Sequence, residues 1–222
     1  MDLNEQAVQE MQEGNIEEAA KLLNEAIEKN PEDAVAFTNF GNLLAAVGEE
    51  DRAVTFYEKA IEIDDTVGAA YYGVGNLYYN QEEYKKAISS YLAAQKNGLH
   101  QGDVYYMLGM SYFQSGDVMR ALPQLQTSIE LNPEDVDARF HYGLALAQQE
   151  EIPEAKAQFD RVLELDDSHA DAMFNYGVAL AYEEDAHGAL NMFERALDAQ
   201  PDHALAANGR EQMTKIIDSL ED

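Results

Sequence analysis

Residues 140–150 read FHYGLALAQQE and residues 174–184 read FNYGVALAYEE. The second stretch repeats the order of apolar, glycine and acidic positions of the first at an interval of 34 residues. Followed in both directions, the interval holds along nearly the whole chain without insertion or deletion. Gly41, Gly75, Gly109, Gly143 and Gly177 share one phase, and with only 14 glycines in 222 residues that alignment is not chance. Ala19, Ala53, Ala87, Ala121, Ala155 and Ala189 form a second column, and Ala26, Ala60, Ala94, Ser128, Val162 and Ala196 a third. A bulky column runs Leu23, Tyr57, Tyr91, Leu125, Phe159, Phe193. The units so defined are residues 1–33, 34–67, 68–101, 102–135, 136–169 and 170–203.

Inside a unit the apolar residues recur at helical spacing, as in Phe37, Phe40, Gly41, Leu44 and then Ala53, Phe56, Tyr57, Ala60, Ile61. VGEED separates the two runs, and IDD or LNPED follows the second, so turns are predicted there. Each unit is read as two helices of about 13 residues. A mid-helix glycine costs roughly 1 kcal/mol against alanine, so the glycine column implies a packing return. If the hairpin closes near Gly48, Gly41 is expected to face Ala53 and let the helix axes approach. A lone hairpin cannot bury its apolar face, and stacking on neighbours supplies the missing partner. Residues 204–222 continue the phase as one more first helix, with Arg210, Glu211 and Thr214 on the face that earlier units bury, and are read as a capping helix. Pro153 falls at a helix start, where its missing N–H costs nothing. Pro123 lies deeper and is expected to delay or kink its helix.

Composition narrows the function classes. With 46% apolar residues the chain can bury a core, and it has no cysteine, so disulfides, thiolate–zinc sites and thiol nucleophiles are excluded. Its opening residues, MDLNEQAVQEMQEGN, lack a basic start and an apolar run, and no stretch approaches the roughly 18 apolar residues of a membrane span, which points to a cytoplasmic protein. Forty-three acidic against 14 basic residues give a formal charge of −29. Phosphate backbones and anionic membranes call for clustered cations, so nucleic acid and membrane are poor partners and a basic or neutral protein surface a better one.

The small, aromatic and turn-proline positions together resemble the tetratricopeptide repeat family, and Pro31, Pro133 and Pro201 stand at the family's turn proline. Asp65, Leu99 and Asp167 replace it elsewhere. The resemblance covers essentially the whole chain. It implies an all-α fold, a right-handed α-α superhelix of six hairpins plus the capping helix, forming a single solenoid domain over residues 1–222. It also implies that the first helices line a concave groove. On that mapping one groove column reads Thr38, Tyr72, Tyr106, Phe140, Phe174, and another Ala45, Tyr79, Phe113, Ala147, Ala181, with Tyr182 beside them. A third supplies Asn42, Asn76, Met110, Leu144 and Val178, and a fourth Asn39, Met107, His141 and Asn175. The aromatic rings form a trough, and the carboxamides offer a donor and an acceptor to an extended peptide backbone. Asp103, Asp137 and Asp171 share a phase at the mouths of three first helices and make an acidic rim, with simple helix capping as an equal explanation. The family's lysine-bearing carboxylate clamp for acidic tails has no counterpart, because Thr38, Tyr72 and Tyr106 occupy the lysine places.

No catalytic constellation stands out. His100, His141, His169, His187 and His203 lack metal-ligand spacing, although His169 and His203 share a phase in the turns between units. The glycines are packing columns and not a phosphate-binding loop. Paired acids such as Glu150 and Glu151 sit in exposed turns. The expectation is a non-enzymatic adaptor with no cofactor or metal, binding a basic or apolar peptide or protein through its groove. Truncating Tyr106 and Phe140 together is expected to abolish capture. The alternative is a structural solenoid that self-associates.

Overall fold

The computed structural model describes residues 2–221, which are helical throughout apart from the connecting turns. They fall into two compact units, one ending at Ser115 and the other beginning at Gly116. The first unit holds α1 (Leu3–Gln12), α2 (Ile16–Lys29), α3 (Ala34–Ala46), α4 (Glu50–Ile63), α5 (Gly68–Asn80), α6 (Tyr84–Lys96) and α7 (Gly102–Gln114). The second holds α8 (Val118–Leu131), α9 (Val136–Gln148), α10 (Ile152–Leu165), α11 (Ala170–Tyr182), α12 (Ala186–Ala199) and α13 (Ala204–Glu221). From α3 onward every first helix begins at the repeat phase, at residues 34, 68, 102, 136, 170 and 204.

The turns that follow α1, α3, α5, α9 and α11 are closed by one device. After α3, the Gly48 N–H bonds the Ala45 carbonyl at 3.1 Å and the Glu49 N–H reaches back to the Leu44 carbonyl at 2.8 Å. This pair of bonds satisfies carbonyls that the helix end leaves free, and it requires the residue at Gly48 to adopt a left-handed conformation. Gly14, Gly48 and Gly116 do so in three repeats, with φ of 81°, 79° and 84°. Glutamate fills the same place in the other three, and Glu82, Glu150 and Glu184 are held at φ of 59°, 63° and 64°. A side chain in that region costs roughly 1–2 kcal/mol, so the closing bonds and the hairpin packing must outweigh it.

The glycine column has a different partner from the one its sequence position suggests. A Cβ on Gly41 would stand 2.6 Å from Cε1 of Tyr57, one on Gly75 2.5 Å from Cε1 of Tyr91, and one on Gly143 2.7 Å from Cε1 of Phe159. Gly41 therefore meets the bulky column most closely, along the Cδ1–Cε1 edge of the Tyr57 ring. Those rings are the largest fully buried side chains of the fold, with Leu23, Leu108 and Leu125 beside them. The alanine columns are buried completely at Ala19, Ala53, Ala87, Ala121 and Ala189 and let the helices close behind the rings. Ring packing extends to the next repeat, since a Cβ on Gly73 would lie 2.4 Å from Cζ of Tyr57 and one on Gly209 2.8 Å from Cε2 of Phe193.

The expected delay at Pro123 does not occur. The helix α8 starts at Val118 and runs unbroken with the proline inside it. Pro123 and Met119 both face solvent, so the Met119 carbonyl that loses its N–H partner is open to hydration. Pro153 sits in the first turn of α10, as anticipated. The final helix buries Ala206, Met213 and Ile217 while Arg210, Glu211 and Thr214 remain exposed, the pattern expected of a cap.

Candidate protein-binding face

In the first unit α1 touches α3, α3 touches α5 and α5 touches α7, whereas α2, α4 and α6 make no comparable contacts with one another. Elements that crowd together lie on the inside of a curve, so the first helices form the inner wall of this unit. In the second unit α11 touches α13 in the same way. The predicted site residues all lie on first helices, those up to Phe113 in the first unit and those from Phe140 on in the second.

The aromatic column is more deeply seated than a free trough would be. Tyr72 lies against Tyr91 with ring centroids 5.7 Å apart, Phe140 against Phe159 at 5.9 Å, and Phe174 against Phe193 at 5.7 Å. Each of these rings thus backs onto the bulky residue of its own repeat and is half-buried. Thr38, at the head of the column, is only 3% exposed and returns its hydroxyl to the Ala34 carbonyl. Tyr79 packs on Tyr84 at 5.6 Å, Tyr106 and Phe113 are half-buried, and Met110 is 4% exposed. Burial pushes the Tyr72 hydroxyl above its ordinary titration range, with a bond to Asn76 opposing and the Asp103 charge adding to the shift.

The asparagines of the third column are occupied on one side. The Tyr57 hydroxyl donates to Oδ1 of Asn42 at 2.8 Å and the Tyr91 hydroxyl to Oδ1 of Asn76 at 2.8 Å. A buried hydroxyl without a partner costs about 1–3 kcal/mol, so these carboxamides answer the tyrosines behind them. Asn76 is engaged on its other side as well, since its Nδ2 donates to the Tyr72 hydroxyl. The pairing explains the column, since Asn stands before Tyr57 and Tyr91, while Met110, Leu144 and Val178 stand before Leu125, Phe159 and Phe193, which carry no hydroxyl. The signal was present as Asn and Tyr 15 residues apart in the same two repeats. The fourth column lies at the seam between repeats, where Gly73 and Gly209 meet the preceding ring, and Asn39, His141 and Asn175 are half-buried there. His141 donates from Nδ1 to the Asp137 carbonyl at 2.8 Å and Asn175 from Nδ2 to the Asp171 carbonyl at 2.8 Å.

Models of the tetratricopeptide repeat match residues 10–65, 68–96, 106–160 and 147–187. The crystal structure of YrrB, described as a TPR protein with an unusual peptide-binding site, superposes with a TM-score of 0.80 at 44% identity, over 85% of this chain and 97% of that one. The chain belongs to the tetratricopeptide repeat family. In direct sequence comparison the TPR repeat-containing protein YrrB of Bacillus subtilis (strain 168) is 54% identical over 39 residues, a match that spans 18% of this chain and 19% of that protein. Pseudomonas aeruginosa pilF, 20% identical over 95% of this chain and 96% of its own with a TM-score of 0.82, shares the fold. A tetratricopeptide fold supports a role as a protein–protein interaction scaffold. No described helix is long and apolar enough to cross a membrane, and no described group of three His, Asp or Glu residues is arranged to hold a metal ion.

The tetratricopeptide face keeps two open features. On α11 Val178 is 46% and Tyr182 68% exposed, one helical turn apart and beside half-buried Phe174. The second feature is charge. Before α13, the lysines and arginines of the helices lie on second helices, except Arg139 on α9, whose guanidinium is tied to Gln158 and to the Pro133 carbonyl. Asp103, Asp137 and Asp171 are exposed at the starts of α7, α9 and α11. The side-chain capping bonds in α9 and α11 come from Asp135 and His169, while Asp103, Asp137 and Asp171 stand in the first turns of their helices, where a carboxylate also complements the helix dipole.

Proposed function

We propose that the protein is an adaptor whose first-helix face binds an extended, apolar and basic segment of another protein, with no chemistry of its own. The second unit offers the apolar contact through Phe174, Val178 and Tyr182, and the acids Asp137 and Asp171 beside it favour lysine or arginine in the ligand. The observation that carries this reading is the exposure of Tyr182 and Val178 on a face whose helices present almost no positive charge. A large tyrosine left in water beside an exposed valine is the type of residue that anchors interfaces. That YrrB is described as having a peptide-binding site supports a peptide as the class of ligand.

The test is a panel of extended peptides that vary independently in aromatic and Lys/Arg content, titrated against the intact protein and a Val178→Ser/Tyr182→Ser variant. Both positions are exposed, so the variant keeps its fold, which circular dichroism checks. Selective binding of apolar basic peptides, lost in the variant but kept in a Met119→Ser control on the second-helix side, is the expected result. Undiminished binding by the variant removes the assignment. Phe140 packs on Phe159 and His169, so its truncation would loosen the fold as well as alter the face.

A further inference from the structure

The histidines that share a phase between repeats turn out to share a structural task. His169 precedes α11 and its Nδ1 accepts the Ala172 N–H at 3.1 Å; His203 precedes α13 and its Nδ1 accepts the Ala206 N–H at 3.1 Å. A backbone N–H can only donate, so both Nδ1 atoms must be unprotonated and both rings neutral in this arrangement. In the same phase Asp33 and Asp135 cap α3 and α9 with carboxylates, while Val67 and Gln101 offer no side-chain cap. The two histidine rings also press on the inner-face aromatics, His169 on Phe140 at 4.7 Å and His203 on Phe174 at 5.2 Å between centroids.

We propose that His169 and His203 form a proton-sensitive clasp, which caps α11 and α13 and seats Phe140 and Phe174 at neutral pH and opens when the imidazoles take up a second proton. Protonation turns Nδ1 from acceptor into donor, so it faces a backbone donor at the positive end of a helix and the capping bond is lost. Imidazole is the side chain whose ordinary charge change falls between about pH 5 and 8, whereas a carboxylate cap stays ionised through that range. Charges around the rings set the opposing pull. Across from His203, Oδ1 of Asp171 on α11 accepts the Nε2 proton at 3.1 Å, and Asp202 precedes the ring. His203 is itself 6% exposed, but Asp171 is largely in water, where its attraction for a charged ring is screened. Near His169 stand Asp166 and Asp167 in the turn, Asp171 on the following helix and Asp137 on α9 at the phase that Asp171 holds on α11. On the preceding helices, Glu164 of α10 pairs with Arg161 and Asp198 of α12 is exposed. None of these groups restores an acceptor for the Ala172 and Ala206 amides.

Amide hydrogen exchange at Ala172 and Ala206 reads the caps directly, with Ala138, capped by Asp135, as internal reference. After correction for intrinsic rates, protection at both alanines is expected to fall about fivefold or more from pH 7.5 to 5.5, the size of losing one N-cap, while Ala138 stays unchanged. A His169→Asn/His203→Asn variant, whose carboxamides cap without titrating, is expected to hold protection at both pH values. Nitrogen-15 spectra of the native imidazoles at pH 7.5 should show the Nε2-protonated tautomer. Protection in the native protein that ignores pH, an equal acid loss in the asparagine variant, or a protonated Nδ1 at pH 7.5 would each overturn the proposal.

Discussion

Gly73→Ala sets two local effects of opposite sign against each other. In an isolated helix the change gains roughly 1 kcal/mol of propensity, and α5 would be steadier for it. In the fold the new methyl would lie 2.4 Å from Cζ, 2.6 Å from Cε1 and 2.7 Å from the hydroxyl oxygen of Tyr57, well inside the ~3.5–4.0 Å of ordinary carbon contact. The ring is already closely engaged there, because a Cβ on Gly41 would stand 2.6 Å from the same Cε1 atom. Rotating it away would also break the 2.8 Å bond to Asn42. Overpacking costs about 1–3 kcal/mol and the hydrogen bond about 1 kcal/mol. Set against the propensity gain, the net is a destabilisation of about 1–3 kcal/mol.

Urea denaturation followed by circular dichroism measures the change, and exchange rates of α5 amides localise it. The same substitution placed on a Tyr57→Leu background, the residue that Leu125 supplies at that phase, is expected to turn neutral or stabilising, since the obstructing ring is gone while the propensity gain remains. A Gly73→Ala protein with a midpoint at or above that of the native chain would refute the claim that ring-on-backbone contact sets the spacing of the repeats.

Two more perturbations probe the same cores. Asn42→Leu leaves the Tyr57 hydroxyl buried without an acceptor and is expected to cost about 1–3 kcal/mol, and adding Tyr57→Phe should recover most of that loss; a double variant as unstable as the single would show that the hydroxyl bond was not the cause. Burial pushes Tyr57 up to about 12 and raises Tyr91 as well, so their stabilising contribution is complete below the ordinary tyrosine range near pH 10 and is lost as pH rises through the folded value. In that window the unfolded chain sheds protons that the folded one keeps, and stability is expected to fall by about 1.4 kcal/mol per pH unit for each ring. Denaturation midpoints at pH 8, 9.5 and 11 check the slope, and a curve unaffected by Tyr57→Phe would contradict the assignment.

The register of the fold was readable because it rests on spacing alone. A repeat of constant length with small residues in fixed columns allows one helix phase, and the first helices begin at 34, 68, 102, 136, 170 and 204 accordingly. What touches what was less readable, because columns give the phase of a residue and not the direction in which its side chain reaches. Gly41 and Ala53 share a hairpin, yet a ring four residues beyond Ala53 sweeps back over the glycine. The left-handed glutamates were hidden for a related reason. Glu82, Glu150 and Glu184 carry no glycine-like signature, and only their phase with Gly14, Gly48 and Gly116 marks the conformation they are forced to adopt.

The correspondence between asparagine and tyrosine changes what the inner face means. If the carboxamides were placed for a ligand, they would have no reason to follow the residue behind them, yet they occur with Tyr57 and Tyr91 and give way to Met110, Leu144 and Val178 where that residue lacks a hydroxyl. Satisfying the core therefore accounts for polarity at Asn42 and Asn76, and it leaves the later repeats free to present carbon instead. Burial then separates those carbons, for Met110 is sealed, Leu144 is half-covered and Val178 is open beside Tyr182. Among the predicted groove columns, the open apolar side chains are therefore on α11, next to Phe174, whose ring lies against His203. That is why the substitutions aimed at binding belong on α11, and why Asn42 and Asn76 report on stability before they report on any partner.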